Sequence, residues 1–154
     1  MMMVETELRP SPIHGLGVFL LEPVSKGGLI WRFDSRIDRV YAPAEVASLP
    51  AHVQAFLRTY CTWHEGAGLY VLCGDNGRYF NHAPLPSTVS NAVSFGEDHA
   101  ARDLEPGEEL TSDYATICDE VRHNGAAFLG GQKQTAPAMG EGRRTWVRGQ
   151  DLNL

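Results

Sequence analysis

Lysine is nearly missing from this chain of 154 residues: Lys26 and Lys133 stand against eleven arginines. A drift toward arginine accounts for that without a functional cause. Cysteine is also sparse. Cys61, Cys73 and Cys118 are odd in number and far apart, which fits reduced thiols better than a disulfide framework. No run approaches the roughly 20 apolar residues that a membrane-spanning helix needs. Residues 1–12 lack the basic-then-apolar order of a signal peptide, so cytoplasmic residence is the expectation. Net charge is -6 with a pI near 5.4, which disfavours binding to nucleic acid through phosphate neutralisation. The local cluster Arg143, Arg144 and Arg148 is the one basic exception.

Two ready-made nucleotide sites are missing as well. Lys26 is followed by Gly27 and Gly28, so no Gly-Lys-Ser/Thr phosphate loop exists. Gly15-Leu16-Gly17 lacks the third glycine, the preceding strand and the following helix of a dinucleotide fingerprint. Cys61 and His64 have a C-x2-H spacing, but Cys73 and His82 complete no zinc pattern in common use, so no metal is expected.

What is present is mostly short apolar runs separated by Gly, Pro and Asn, the pattern of a mainly β domain. Residues 17–21 (GVFLL) and 28–33 (GLIWRF) are joined by turn-rich EPVSKG and predict a hairpin or meander. Residues 69–73 (LYVLC) read as a buried strand, and Val89, Val93 and Phe95 fall on one face of an alternating one. Val53, Phe56, Leu57 and Tyr60 repeat at helical spacing and predict one inserted helix over 50–60, preceded by a short helical turn at 43–46. The length fits one domain over 1–124. From 125 to 154, repeated glycines and weak apolar periodicity predict a tail that orders only by docking, through Trp146 and Val147. No internal repeat is apparent.

Three segments carry candidate chemistry. Ser11 to Gly17 (SPIHGLG) places two glycines around one residue, which lets backbone amides approach a ligand closely; a plain hairpin turn has the same signature. Asp75 to His82 (DNGRYFNH) ends in an amide that both donates and accepts, beside an imidazole; a structured turn would use the same residues. Leu104 to Tyr114 (LEPGEELTSDY) is a turn leading into a short strand. Its adjacent acids Glu108 and Glu109 must face opposite sides of a strand, so they cannot flank one glycosidic bond.

The three segments in this order resemble the SET domain, the fold of S-adenosylmethionine-dependent protein lysine methyltransferases. The stretches HGLGVFLLEPVSKGGLIWRFD and YVLCGDNGRYFNH are similar to compact bacterial members, and the resemblance covers about residues 6 to 120. It implies a β-clip-like set of small twisted sheets, one short inserted helix, and a knot-like crossing of the C-terminal motif beneath the Asn-His loop. It implies that Gly15, Leu16 and Gly17 contact the methionine part of S-adenosylmethionine, and that Asn81 and His82 hold its amino and adenine groups. Arg78 is placed beside the cofactor, paired with Glu109. Tyr114 takes the place of the active-site tyrosine, orienting the methyl through weak C–H···O contacts. Tyr60, and less directly Trp63, stand where the family has lysine-channel aromatics, although Tyr60 also suits the buried face of the helix. The implied partner is a protein presenting a lysine, with no membrane and no direct nucleic-acid contact.

Three departures from the family pattern carry expectations of their own. Ala83 follows His82 where a small polar residue is usual. Ser87 replaces an Asn, which predicts a weaker local cap. Ser112 replaces a Phe or Tyr, which predicts a roomier pocket. The cysteine-rich zinc modules that often flank the domain are absent, leaving Trp146 or Phe128 of the tail to cover the adenine. These departures also motivate the alternative of a degenerate module that binds a peptide without catalysis.

Overall fold

The computed structural model describes residues 1–64, 66–91 and 96–117. Val93, Phe95, Cys118, the arginine cluster at 143–148, Phe128, Trp146 and Val147 lie outside the described residues, as does the whole segment 125–154.

The chain runs β1 (Thr6–Pro10), β2 (Leu16–Leu20), β3 (Leu29–Arg32), β4 (Arg39–Tyr41), α1 (Pro43–Ser48), α2 (Ala51–Tyr60), β5 (Cys61–His64) and β6 (Leu69–Leu72). It continues through a 3-10 turn (Asn76–Tyr79), β7 (Asn81–His82), β8 (Thr88–Asn91), β9 (Glu97–Ala100), β10 (Glu109–Ser112) and α3 (Tyr114–Ile117). The strands form three small sheets of order β1-β2-β10-β7, β3-β9-β8 and β4-β6-β5. The fold is mainly β, with several small sheets, as the sequence predicts.

The hairpin expected between β2 and β3 does not form. Both edges of β2 are taken, by β1 on one side and by β10 on the other. β3 pairs instead with β9. Two like arms explain this exchange. β2, its connector and β3 make one arm, and β9, its connector and β10 make the other. Val24 and Leu104 exchange both backbone bonds at 2.9 and 2.8 Å where the arms cross. Around that bridge the bonds repeat in pairs. Gly27 N–H donates to Ala100 O at 2.8 Å and Gly107 N–H to Leu20 O at 2.7 Å. Gly28 N–H closes on Ser25 O, and Glu108 N–H on Glu105 O. Gly27 (φ 80°) and Gly107 (φ 88°) occupy the third position of those turns, where positive φ makes glycine the fitting residue. The repeat escapes sequence inspection because only the glycine and the apolar bridge residue need to match.

Val18, Leu20, Ile30, Leu104 and Leu110 are essentially solvent-free and come from both arms, so the crossing is also the core. Tyr79 of the 3-10 turn and Phe80, which caps it, belong to the same core.

β1 carries no strand signal in its sequence, because TELRP is charged and ends in proline. It lies at a sheet edge, where Pro10 removes no bond from a neighbour. The helix falls at Ala51–Tyr60 as expected, yet only Leu57 of its apolar stripe is fully buried, and Phe56 is 44% exposed against Tyr60. The earlier turn is α1, with Pro43 in its first turn and Glu45 accepting the Ala42 N–H at 2.7 Å.

Candidate functional site

β10 enters the site between β2 and β7, antiparallel to the first and parallel to the second, with Thr111 level with Asn81 and Ser112 level with His82. The chain leaves β7 through residues 83–86 and returns at Ser87, so β10 lies against both arms of that loop. Side chains hold it there. Thr111 N–H donates to Ser87 Oγ at 2.8 Å, and Ser87 N–H donates to Thr111 Oγ1 at 3.0 Å. Thr88 Oγ1 donates to Thr111 O at 2.9 Å and sits 3.0 Å from Ser112 Oγ. A hydroxyl has one proton, so with Thr88's on Thr111 O the Ser112 hydroxyl is the donor of that pair.

One expectation drawn from the departures is therefore corrected. Ser87 is no weak cap: at 4% exposure it is bonded through both backbone and side chain. Ser112, at 2% exposure, is closed on Thr88. Its hydroxyl is engaged in a hydrogen bond at the crossing.

The adjacent acids separate as strand geometry requires. Glu108 turns outward to Arg102, whose guanidinium at 2.6 Å holds the carboxyl below its usual range. Glu109 turns inward, where both its oxygens accept from Ser11 Oγ at 2.8 and 2.9 Å and Oε1 also accepts from Asn81 Nδ2 at 2.8 Å. Arg78, expected beside Glu109, is not its partner. Its guanidinium lies 5.0 Å from the ring centre of Tyr79, its neighbour in the 3-10 turn.

Asn81 is 4% exposed. Its Nδ2 donates to His14 O and Leu16 O, each at 3.1 Å, besides Glu109. Two amide protons shared among three acceptors leave nothing to donate elsewhere. Asn81 therefore clamps the Gly15-Leu16-Gly17 turn to the crossing instead of offering N–H groups to a ligand. Its Oδ1 receives no hydrogen bond among the described residues, and that atom is an acceptor suited to an ammonium.

His82 and Tyr114 come together beside this clamp, with ring centres 5.4 Å apart. The Tyr114 N–H donates to His82 Nδ1 at 3.3 Å, which in the neutral imidazole puts the proton on Nε2 and makes that nitrogen a donor. Tyr114 is 5% exposed, and its hydroxyl donates to Phe80 O at 2.6 Å. With that proton spent, the hydroxyl oxygen can act toward another group only as an acceptor.

Tyr60 ends α2 and packs edge-on against Tyr79 at 5.8 Å and against Phe56 at 4.9 Å. Trp63 packs on Tyr70 at 4.8 Å. So the structure joins Gly15, Leu16, Gly17, Asn81 and Glu109 in one bonded unit, with His82 and Tyr114 against it. Tyr60 and Arg78 both lie against the Tyr79 ring. Among the described residues no three His, Cys, Asp or Glu side chains converge as a metal ion would need, so Cys61, His64, Cys73 and His82 make no such group. Sequence reasoning missed the roles of Ser11, Thr88 and Thr111, and it read Ser87 as a weakened cap. The serine at the head of SPIHGLG was visible, but its partner Glu109 is 98 residues away.

Comparison with known proteins follows the same outline. A family model described as SET domain matches residues 15–115. No curated protein matches the chain. Among solved structures it is similar to a Plasmodium falciparum protein assigned as a histone methyltransferase, at 19% identity and a TM-score of 0.51, over 72% of this chain and 93% of that one. It is similar also to a chain of the Chaetomium thermophilum Polycomb Repressive Complex 2, at 20% identity and a TM-score of 0.60. That match covers 79% of this chain but only 17% of the other. An active polycomb repressive complex 2 in the basal state matches at 21% identity and a TM-score of 0.57, over 72% of this chain and 15% of that chain. At such identities these likenesses speak to the fold.

Proposed function

The chain belongs to the SET-domain family, and from that premise we propose that it transfers a methyl group from S-adenosylmethionine to a lysine side chain of a protein. One observation carries the reading: three segments far apart in sequence, at Gly15–Gly17, Asn81–His82 and Glu109–Tyr114, close into one hydrogen-bonded unit.

The donor set fits the cofactor's chemistry. Asn81 Oδ1 is an acceptor for the ammonium of its methionine part, and the turn held by Asn81 supplies backbone against the same part. His82 Nε2–H supplies a donor for a ring nitrogen or carboxylate. When bound, the cofactor supplies an electrophilic methyl on a sulfonium. Tyr114 then acts as an orienting acceptor, because its own proton is already given to Phe80 O. That arrangement argues against a tyrosine base and favours catalysis by positioning, to which in-line transfer is most sensitive. The target lysine must be neutral to attack, and a neighbouring sulfonium cation would disfavour its charged form. Tyr60 is proposed to line the approach of that lysine.

Calorimetry with S-adenosylmethionine and its demethylated product tests the cofactor half. Incubation with labelled cofactor and a lysate of the source organism, read by mass spectrometry, tests transfer and names the substrate. Binding of neither cofactor form would leave the degenerate peptide-binding module as the reading. A cytoplasmic site of action belongs to the same proposal and is checked by cell fractionation.

A further inference from the structure

We propose that Ser11 is a positioning residue for the cofactor turn, acting through Glu109 and Asn81. The inference rests on the methyltransferase reading above and extends it to a residue outside the three motif cores.

Ser11 lies just ahead of the turn and outside β1 and β2. Its hydroxyl gives its one proton to the Glu109 carboxylate, which it meets at 2.8 and 2.9 Å. The same oxygen accepts the Ile13 N–H at 2.9 Å and the His14 N–H at 3.3 Å. Its backbone N–H donates to Gly15 O at 2.8 Å. The loop from 11 to 15 is thus wound around a single side chain. On its inner side, Asn81 Nδ2 takes the carbonyls of His14 and Leu16 together with Glu109 Oε1.

These contacts form a closed circuit. The two carbonyls cannot turn outward without leaving Asn81, and the Asn81 amide cannot rotate without leaving Glu109. Glu109 in turn is held by Ser11 and walled by Gly17, where an added Cβ would fall 2.2 Å from Oε1. Two outputs matter for a ligand. The peptide planes of the turn are set, since in a trans peptide an inward carbonyl sends the following N–H to the opposite side. The direction of Asn81 Oδ1 is set as well, because it is the other end of the same rigid amide. Ser11 touches neither output, and it reaches them only through the carboxylate.

The test uses the full chain with Ser11→Ala and Ser11→Thr. Ser11→Ala should raise both the Kd and the KM for S-adenosylmethionine about tenfold, the scale of one lost hydrogen bond to a charged group, with kcat at saturating cofactor within twofold. Ser11→Thr keeps the hydroxyl and should restore the KM to within about threefold of the parent. Amide exchange without cofactor should quicken in residues 13–17 of Ser11→Ala and stay unchanged in β3 and β9. An unchanged KM, or a fall in kcat with an unchanged KM, overturns the positioning role. Failure of the parent protein to bind S-adenosylmethionine overturns the methyltransferase reading, and unchanged exchange at 13–17 then overturns the circuit on its own.

Discussion

Alanine at position 17 should be among the most damaging small substitutions in this protein, for a reason unrelated to glycine flexibility. Gly17 lies in β2 and is not a positive-φ residue. Backbone preference alone would therefore let Gly17→Ala stabilise the fold by about 0.5 kcal/mol. The obstacle is contact: the new Cβ would sit 2.2 Å from Glu109 Oε1, 2.7 Å from its Cδ and 3.0 Å from Ser11 Cβ. Glu109 cannot swing aside freely, because Ser11 and Asn81 both donate to it. Displacing it breaks two hydrogen bonds to a charged group, each worth about 1.5–3 kcal/mol. The expected cost is about 3–4 kcal/mol, read by urea unfolding with the m-value checked for constancy. A double-mutant cycle isolates the cause. In a Glu109→Ala background only the 3.0 Å approach to Ser11 Cβ remains, and Gly17→Ala should cost less than about 1 kcal/mol. An equal cost in both backgrounds would refute the argument, as would a single-mutant cost below 1 kcal/mol.

Thr88→Val removes the hydroxyl that serves Thr111 O and Ser112 Oγ in a site 2% exposed, and should lower stability by about 1–3 kcal/mol in a denaturation titration. Asp98 in β9 is pushed up to about 6 by burial, which outweighs the Ser90 hydrogen bond and the His99 charge that pull it down. Its folded value lies above the unfolded one, so the stability linked to its proton is complete below pH 3.8 and is lost as pH rises through about 6. Asp98→Asn should therefore raise the Tm at pH 7–8 by the equivalent of ~3 kcal/mol at most and give no gain near pH 4; a gain independent of pH would contradict this. Tyr114→Phe should cut methyl transfer by at least tenfold while cofactor affinity stays within threefold, and an equal loss in both would show that the hydroxyl serves binding.

Much of the architecture could be read from local signals, because those signals are local in cause. Turn chemistry at Ser25-Lys26-Gly27-Gly28 and Glu105-Pro106-Gly107-Glu108 marks both connectors, and the stripe through Leu57 and Tyr60 marks the helix. Alternation along a strand was enough to part Glu108 from Glu109, and the structure sends them to Arg102 and to Ser11 with Asn81. Pairing was different. Nothing within residues 17–33 says that β2 and β3 belong to separate sheets, since that outcome depends on β10 arriving from the far end of the domain to take the β2 edge.

The candidate site divides along the same line. The sequence by itself determined which residues are there and in what order, enough for the three segments to be recognised and for Tyr114, His82 and the glycine turn to be singled out. Turn residues marked where the chain bends, but which glycine takes positive φ, Gly15 and not Gly17, Gly27 and not Gly28, is visible only in the fold. Only the tertiary structure decided what each polar group does. Arg78 and Glu109 look like a pair by charge, yet Glu109 closes on an uncharged serine and amide while Arg78 lies over a ring. Asn81 looks like a ligand reader, yet its N–H groups are used to hold the turn. The physical reason is that a hydrogen bond depends on a few tenths of an ångström and on direction. Contacts spanning 65 to 98 residues of chain acquire such geometry only when the two arms cross and the core sets.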